Sequence, residues 1–216
     1  MSKKSLFFLV FFAVLVVGFY FSLKAFIPGY GERNFKVLNQ VKPFSFINQD
    51  GDTITQAQTQ GKVYVAEYFF TTCTGICPIM NTNLKSVYEE YKDNQDFLIL
   101  SHTCDPDQDS TGRLRWYADS MQVNTNRWIF LTGSKDSLYH AARVSYLLDD
   151  PENNSVSIDD QFLHTQFFAL VDRKGQVRKK IYDGLKKKEL EELKKDIAIL
   201  LNEPQAKRFV NDLYNP

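Results

Sequence analysis

The run Val63–Phe70, VYVAEYFF, is short, apolar and aromatic, and it reads as a strand buried on both faces. A second run of the same kind lies at Phe97–Thr103 and a third at Trp128–Leu131. Strands that show water no face belong to a parallel sheet covered by helices on both sides. The stretches between them have the matching period. Pro78 to Tyr91 places Ile79, Met80, Leu84, Val87, Tyr88 and Tyr91 at helical spacing, and helices are also expected near Ser110–Met121 and Lys135–Leu148. Phe44–Ile47 and Thr53–Thr55 form a small hairpin around Gln49-Asp50-Gly51. A second hairpin joins Gln166–Val171 to Gln176–Tyr182 across Asp172-Arg173-Lys174-Gly175, and Lys186–Leu201 is an amphipathic final helix. Asp149–Asp160 is polar and acidic, so an exposed, mobile loop is expected there. Strand, helix, strand, helix, hairpin, helix is the order of an α/β, thioredoxin-like domain with an added N-terminal hairpin.

The N-terminus obeys another rule. Lys3 and Lys4 precede Ser5–Leu23, which carries no charge and is dense in Phe, Leu and Val. Nineteen helical residues span roughly 28 Å, close to the apolar thickness of a bilayer. Basic residues before the span favour a cytoplasmic N-terminus, with the rest of the chain on the far side. A cleaved signal peptide is the alternative, but its apolar region is usually about 7–15 residues, and Phe21-Ser22-Leu23-Lys24-Ala25 is a poor cleavage site. The expected division is a cytoplasmic stub (1–4), a single transmembrane anchor (5–24), a linker (25–42), a domain (43–202) and a tail (203–216). No Arg-rich, Ser-rich transit peptide is present, which points to a bacterial inner membrane with the domain on the periplasmic side.

The 26 basic and 26 acidic residues balance. Residues 1–30 contribute Lys3, Lys4 and Lys24 and no acid, so 23 basic and 26 acidic residues remain for 31–216. A mildly acidic domain has no electrostatic footprint for nucleic acid.

Three cysteines cannot all pair, and an exported domain of this size does not need a disulfide framework. Cys73 and Cys77 flank Thr74-Gly75-Ile76, just past the first buried strand, and sites in such sheets collect at the carboxyl ends of strands. Cys77 opens a helix, with Pro78 suited to its first turn. A helix N-terminus lowers a thiol's pKa and favours the thiolate, which soft-metal binding and disulfide exchange both need. Three intervening residues can place two sulfurs around a metal and still permit a disulfide. Two buried structural thiols are the plain alternative. His164, just before the second hairpin, is the natural third ligand. Two thiolates and an imidazole suit copper as Cu(I) or Cu(II), and zinc would accept them with a fourth ligand. His140, in mid-helix without a partner motif, is expected to be structural, and His102 is at most an auxiliary ligand. Asp105 and Asp109 read as an Asp-Pro turn and a helix N-cap.

The chain from about Pro43 to Leu201 resembles the Sco/SenC family. The residues that carry the resemblance are Phe69-Phe70-Thr71-Thr72-Cys73, Cys77-Pro78, Asp105-Pro106 with Asp109, His164-Thr165 leading into Leu170-Val171-Asp172-Arg173 and Gly175, and Tyr182 with Gly184. The resemblance implies a thioredoxin-like fold behind an N-terminal anchor. It implies copper held by Cys73, Cys77 and His164, and copper delivery to the dinuclear copper centre of cytochrome c oxidase subunit II or to another copper-requiring protein. Thr74 stands where the family often has Pro, and Cys104 where a non-thiol residue is expected. Cys104 is expected to be inert. Two functions use the same cysteines: a metallochaperone, which needs His164, and a thiol–disulfide oxidoreductase that keeps the oxidase thiols reduced, which does not. A peroxidase is disfavoured, since no Arg motif accompanies Cys73.

Overall fold

The computed structural model describes residues 3–26, 35–150, 157–158, 163 and 165–203. It divides into two units, Met1–Asn34 with Asn202–Pro216, and Phe35–Leu201. In the first, α1 (Lys3–Phe26) has 24 residues, and Lys4–Leu23 is long and apolar enough to cross a membrane by length and composition.

The second unit is built on an eight-stranded sheet in the order β1-β8-β7-β4-β5-β6-β2-β3. Its strands are β1 (Val37–Gln40), β2 (Ser45–Asn48), β3 (Thr53–Thr55), β4 (Val63–Phe69), β5 (Phe97–Thr103), β6 (Trp128–Thr132), β7 (Phe167–Val171) and β8 (Gln176–Asp183). The parallel centre is β4, β5 and β6, with Val65 opposite Ile99 and Leu100 opposite Ile129. Antiparallel β7 and β8 extend it on one side and β2 and β3 on the other. Every residue of β4 and β5 is buried, as the solid apolar runs require.

Successive side chains leave a strand on opposite faces, so the sheet carries two cores. Val63, Val65 and Phe69 meet Met80, Leu84 and Val87 of α3 (Cys77–Tyr91), Leu114 of α4 (Thr111–Met121), and Leu193 and Ile197 of α6 (Lys187–Asn202). Tyr64, Ala66 and Tyr68 face Leu138 and Tyr139 of α5 (Lys135–His140) and Tyr146 in its π-helical extension, Ala141–Tyr146. The helix expected over Lys135–Leu148 therefore widens in its second half and ends at Leu147, which takes a positive φ of 59°.

Other boundaries also differ from the sequence reading. Val37–Gln40, assigned there to the linker, is a strand: Val37 pairs with Arg178 and Gln40 with Gln176. Its four residues include two polar ones, too weak a pattern to stand out. A one-turn helix, α2 (Gln56–Thr59), follows the first hairpin under a capping box from Thr55. Most of the 149–160 loop and of the tail lies outside the described residues. Gly184 is needed for close approach: a Cβ there would stand 2.6 Å from the Phe168 ring and 2.9 Å from Gln166 O.

Candidate metal centre

β4 delivers the chain to the carboxyl edge of the sheet at Phe69, and a short loop carries it into α3. The Cys73 N–H donates to Phe70 O (3.2 Å), which folds the loop back over the strand end. Cys73 is half-buried and Cys77 is buried. Burial pushes the Cys73 thiol up, but the Cys77 thiol and the backbone amides of Cys77, Gly75 and Ile76 outweigh it and hold Cys73 below its ordinary value. Cys77 goes the other way, pushed up to about 12 by burial and by its hydrogen bond to Cys73, with the Glu67 charge adding to the shift. The sequence alone points to Cys77 as the thiol acidified by the helix terminus. The reason is geometric: the amides of Gly75, Ile76 and Cys77, in the loop and at the helix start, converge on the sulfur before the helix, not on the one inside it. The outcome is an outer thiol that ionises more readily than an ordinary cysteine and an inner thiol that ionises less readily.

Asp109 secures the loop. Its carboxyl accepts from the Thr71 N–H (3.1 Å), the Thr71 hydroxyl (2.5 Å) and the Thr103 hydroxyl (2.6 Å), and it is fully buried. Arg113 Nε donates to Thr71 Oγ1 (3.0 Å), which also brings a guanidinium close to the Cys73 loop, where no sequence motif announced one. The cap of α4 is Ser110, whose hydroxyl accepts from Arg113 N–H, so the N-cap role expected of Asp109 falls to its neighbour. Asp109 instead ties the segment two residues before Cys73 to the end of β5.

Beneath the thiols lies a second polar group, Glu67, at 0% exposure in the middle of β4. It forms no ion pair among the described residues. Ser101 Oγ donates to Glu67 Oε1 (2.5 Å) and itself accepts from Trp128 Nε1 (2.7 Å). Burial pushes the Glu67 carboxyl up to about 8, against the pull of the Ser101 bond. The signal was in the sequence: Glu67 is the one charged residue in VYVAEYFF.

His102 and Cys104 belong to the opposite core from Cys77. The His102 ring is stacked on Tyr68 at 4.9 Å, and burial lowers its pKa to about 4. Its place in that core separates it from the thiol pair. Cys104 is 2% exposed and raised well above its ordinary value by burial, with Cys77 the largest charged influence. His140 is exposed at the end of α5. His164 lies outside the described residues, and among those described no group of three His, Cys, Asp or Glu side chains is arranged for a metal. Its neighbour Leu163 is described. The Leu163 N–H donates to the Tyr139 hydroxyl (3.0 Å), which donates to Cys104 O (3.0 Å), so the chain entering position 164 is pinned to the end of β5. Cys104 N–H in turn donates to Phe69 O (2.8 Å), joining that point to the end of β4.

Comparison with known proteins gives a consistent answer. A family profile described as SCO1/SenC matches residues 35–201. A curated SCO1 protein homolog of Bacillus subtilis is 31% identical over 162 residues, covering 73% of this chain and 81% of that protein. The solved structure of BsSco, described as a member of the Sco family of cytochrome c oxidase assembly proteins with a disulfide switch, superimposes with a TM-score of 0.64. It is 30% identical and covers 77% of this chain and 96% of its own. Bradyrhizobium japonicum ScoI, solved with copper bound, gives 0.58 at 20% identity over 74% of this chain and 99% of its own, a likeness of fold.

Proposed function

The chain belongs to the SCO1/SenC family, and on that footing we propose that it is a membrane-anchored copper carrier. In this reading it delivers copper to, or assists assembly of, the dinuclear copper centre of cytochrome c oxidase. Cys73, Cys77 and His164 hold the ion, which is cargo. The observation that carries the reading is the thiol pair itself: two sulfurs on one loop and helix start, one of them half-open to the surface with its pKa held below the ordinary value. Soft thiolate ligands select Cu(I), and an added imidazole extends the set to Cu(II). The pinning of Leu163 to the end of β5 supports His164 as the third ligand, because Cys104 N–H there bonds Phe69 O at the end of β4, the strand that launches the cysteine loop. The length and composition of α1 support an anchor in a bacterial inner membrane, and Lys3 and Lys4 support a domain on the periplasmic side.

One observation favours a second reading, a thiol–disulfide oxidoreductase acting on the oxidase thiols. An outer thiol of lowered pKa over an inner thiol of raised pKa is the arrangement of an attacking and a resolving cysteine. His164→Ala separates the two. A carrier loses Cu(II) affinity and its thiolate-to-copper absorption band, while an oxidoreductase keeps its exchange rate with a disulfide substrate. Copper spectra and a disulfide-exchange rate both unchanged in His164→Ala relative to wild type would move the assignment to the enzyme.

A further inference from the structure

Glu67 raises a question that the thiol chemistry alone does not answer. A buried carboxyl without a counter-ion is costly, and a structure that keeps one has a use for it or surrounds it with bonds. Its surroundings are specific. Asn81 lies four residues after Cys77, on the same face of α3 one turn further in, and is 3% exposed. One end of its amide faces Glu67, at 3.0 Å from Oε1 and 3.2 Å from Oε2, and the other end faces the Tyr117 hydroxyl of α4 at 2.6 Å.

An amide can lie in such a slot in two ways, and the charge on the carboxyl decides between them. A carboxylate can only accept, so it demands Nδ2; Asn81 Oδ1 then accepts from the Tyr117 O–H. A neutral carboxylic acid has a proton to donate. It can bond Asn81 Oδ1 while its other oxygen accepts from Ser101, and Asn81 Nδ2 then donates to the Tyr117 oxygen. Both arrangements keep a hydrogen bond at each step from Glu67 through Asn81 to Tyr117, so neither is a defect. They differ in the direction of each bond along Glu67, Asn81 and Tyr117.

We propose that Glu67 is a positioning residue for the Cys73–Cys77 pair, acting through Asn81 and Tyr117 as a hydrogen-bond relay whose direction reverses when Glu67 gains or loses its proton. In the neutral state Asn81 donates to Tyr117 and leaves the tyrosine proton free to turn elsewhere. In the ionised state that proton is committed to Asn81. The relay lies below the pair: Cys77 and Tyr117 both feel the Glu67 charge, and Tyr117 feels both cysteines. The titratable groups that feel Glu67 are Cys77 on α3, Tyr117 on α4 and Cys104 after β5. His102 on β5 has Nδ1 3.2 Å from the Glu67 carbonyl oxygen. Strand β7, on the other side of β4, sets Ala169 against Ala66 and is apolar throughout. Burial holds the carboxyl near neutrality, which places the reversal within reach of ordinary conditions. The inference rests on Cys73 and Cys77 being the working pair, and not on which ion they hold.

The test is nuclear magnetic resonance of the full, metal-free chain in detergent, titrated from about pH 6 to pH 9.5. The Asn81 side-chain amide resonances and the Glu67 carboxyl carbon should move with one shared midpoint, and E67Q should abolish the Asn81 transition. Wild type alone already decides the first part, so a failure of E67Q to fold does not remove the test. The second readout is the thiol–disulfide equilibrium of the pair against glutathione. Wild type and E67Q should agree within about twofold at about pH 6.5, where the substituted amide reproduces the neutral acid's donor. At about pH 9 wild type should lie further toward disulfide by roughly threefold or more, because a carboxylate beneath the pair disfavours thiolate in a poorly screened interior. An Asn81 amide that ignores pH, or a wild-type to E67Q ratio that is the same at both pH values, would overturn the proposal. Neither readout uses copper, so a failed copper reading would leave this result intact.

Discussion

Removing the Asp109 carboxyl tests whether the cysteine loop is held from below. In Asp109→Ala three donors lose their acceptor at once: the Thr71 N–H at 3.1 Å, the Thr71 hydroxyl at 2.5 Å and the Thr103 hydroxyl at 2.6 Å. A buried donor left without a partner costs about 1–3 kcal/mol. The two hydroxyls can rotate to other acceptors and the amide cannot, so the summed loss is about 3–4 kcal/mol rather than three full penalties. Urea unfolding reads it directly. With a slope of about 2 kcal/mol/M, the midpoint should fall by about 1.5–2 M with the slope unchanged. The loop should also loosen around Cys73, so alkylation of that thiol by iodoacetamide in native buffer should change by more than about threefold. A stability loss under about 1 kcal/mol, or unaltered Cys73 reactivity in a destabilised variant, would refute the view that Asp109 positions the loop.

Two other outcomes follow from buried groups. Glu67 has an ordinary value of 4.5 and a folded value of about 8; between them the unfolded chain has released the proton that the folded chain keeps, so stability falls as pH rises through this window and levels off above it. The upper bound is about 4–5 kcal/mol at 1.36 kcal/mol per unit, and E67Q should become progressively more stable than wild type from about pH 4.5 to pH 8; parallel stability curves would contradict this. Cys104→Ser should leave copper stoichiometry and the Cys73–Cys77 potential unchanged, at a modest cost in stability, because Cys104 sits in the other core; a potential moved by more than about 30 mV, a tenfold change for a two-electron couple, would show that the third thiol is coupled to the site.

The solid apolar strands made the centre of the fold legible. VYVAEYFF and Phe97–Thr103 admit few arrangements other than adjacent buried strands, and they stand side by side in parallel register. The polar strand β1 was not legible, because VLNQ takes its place through pairing with β8 and not through its own pattern. At the site, the spacing of Cys73 and Cys77 and the helix start at Cys77 were readable, while the division of labour between the thiols was not. Which sulfur collects the amides depends on how the loop turns at Phe70, a tertiary detail that composition does not carry. Asp109 shows the same limit. As the residue before a helix it reads as a cap, and only the fold reveals that Ser110 caps while Asp109 reaches Thr71, 38 residues back.

The central claim is that Cys73 and Cys77 form the heart of a copper site. The most direct measurement is metal content by mass spectrometry on the full chain, purified in detergent and reconstituted with copper under reducing conditions. Wild type should hold about one copper per chain after desalting, and Cys73→Ser and Cys77→Ser should each lose it, because a hydroxyl is a hard and poorly ionised substitute for a thiolate. Full copper retention in both variants would contradict the account.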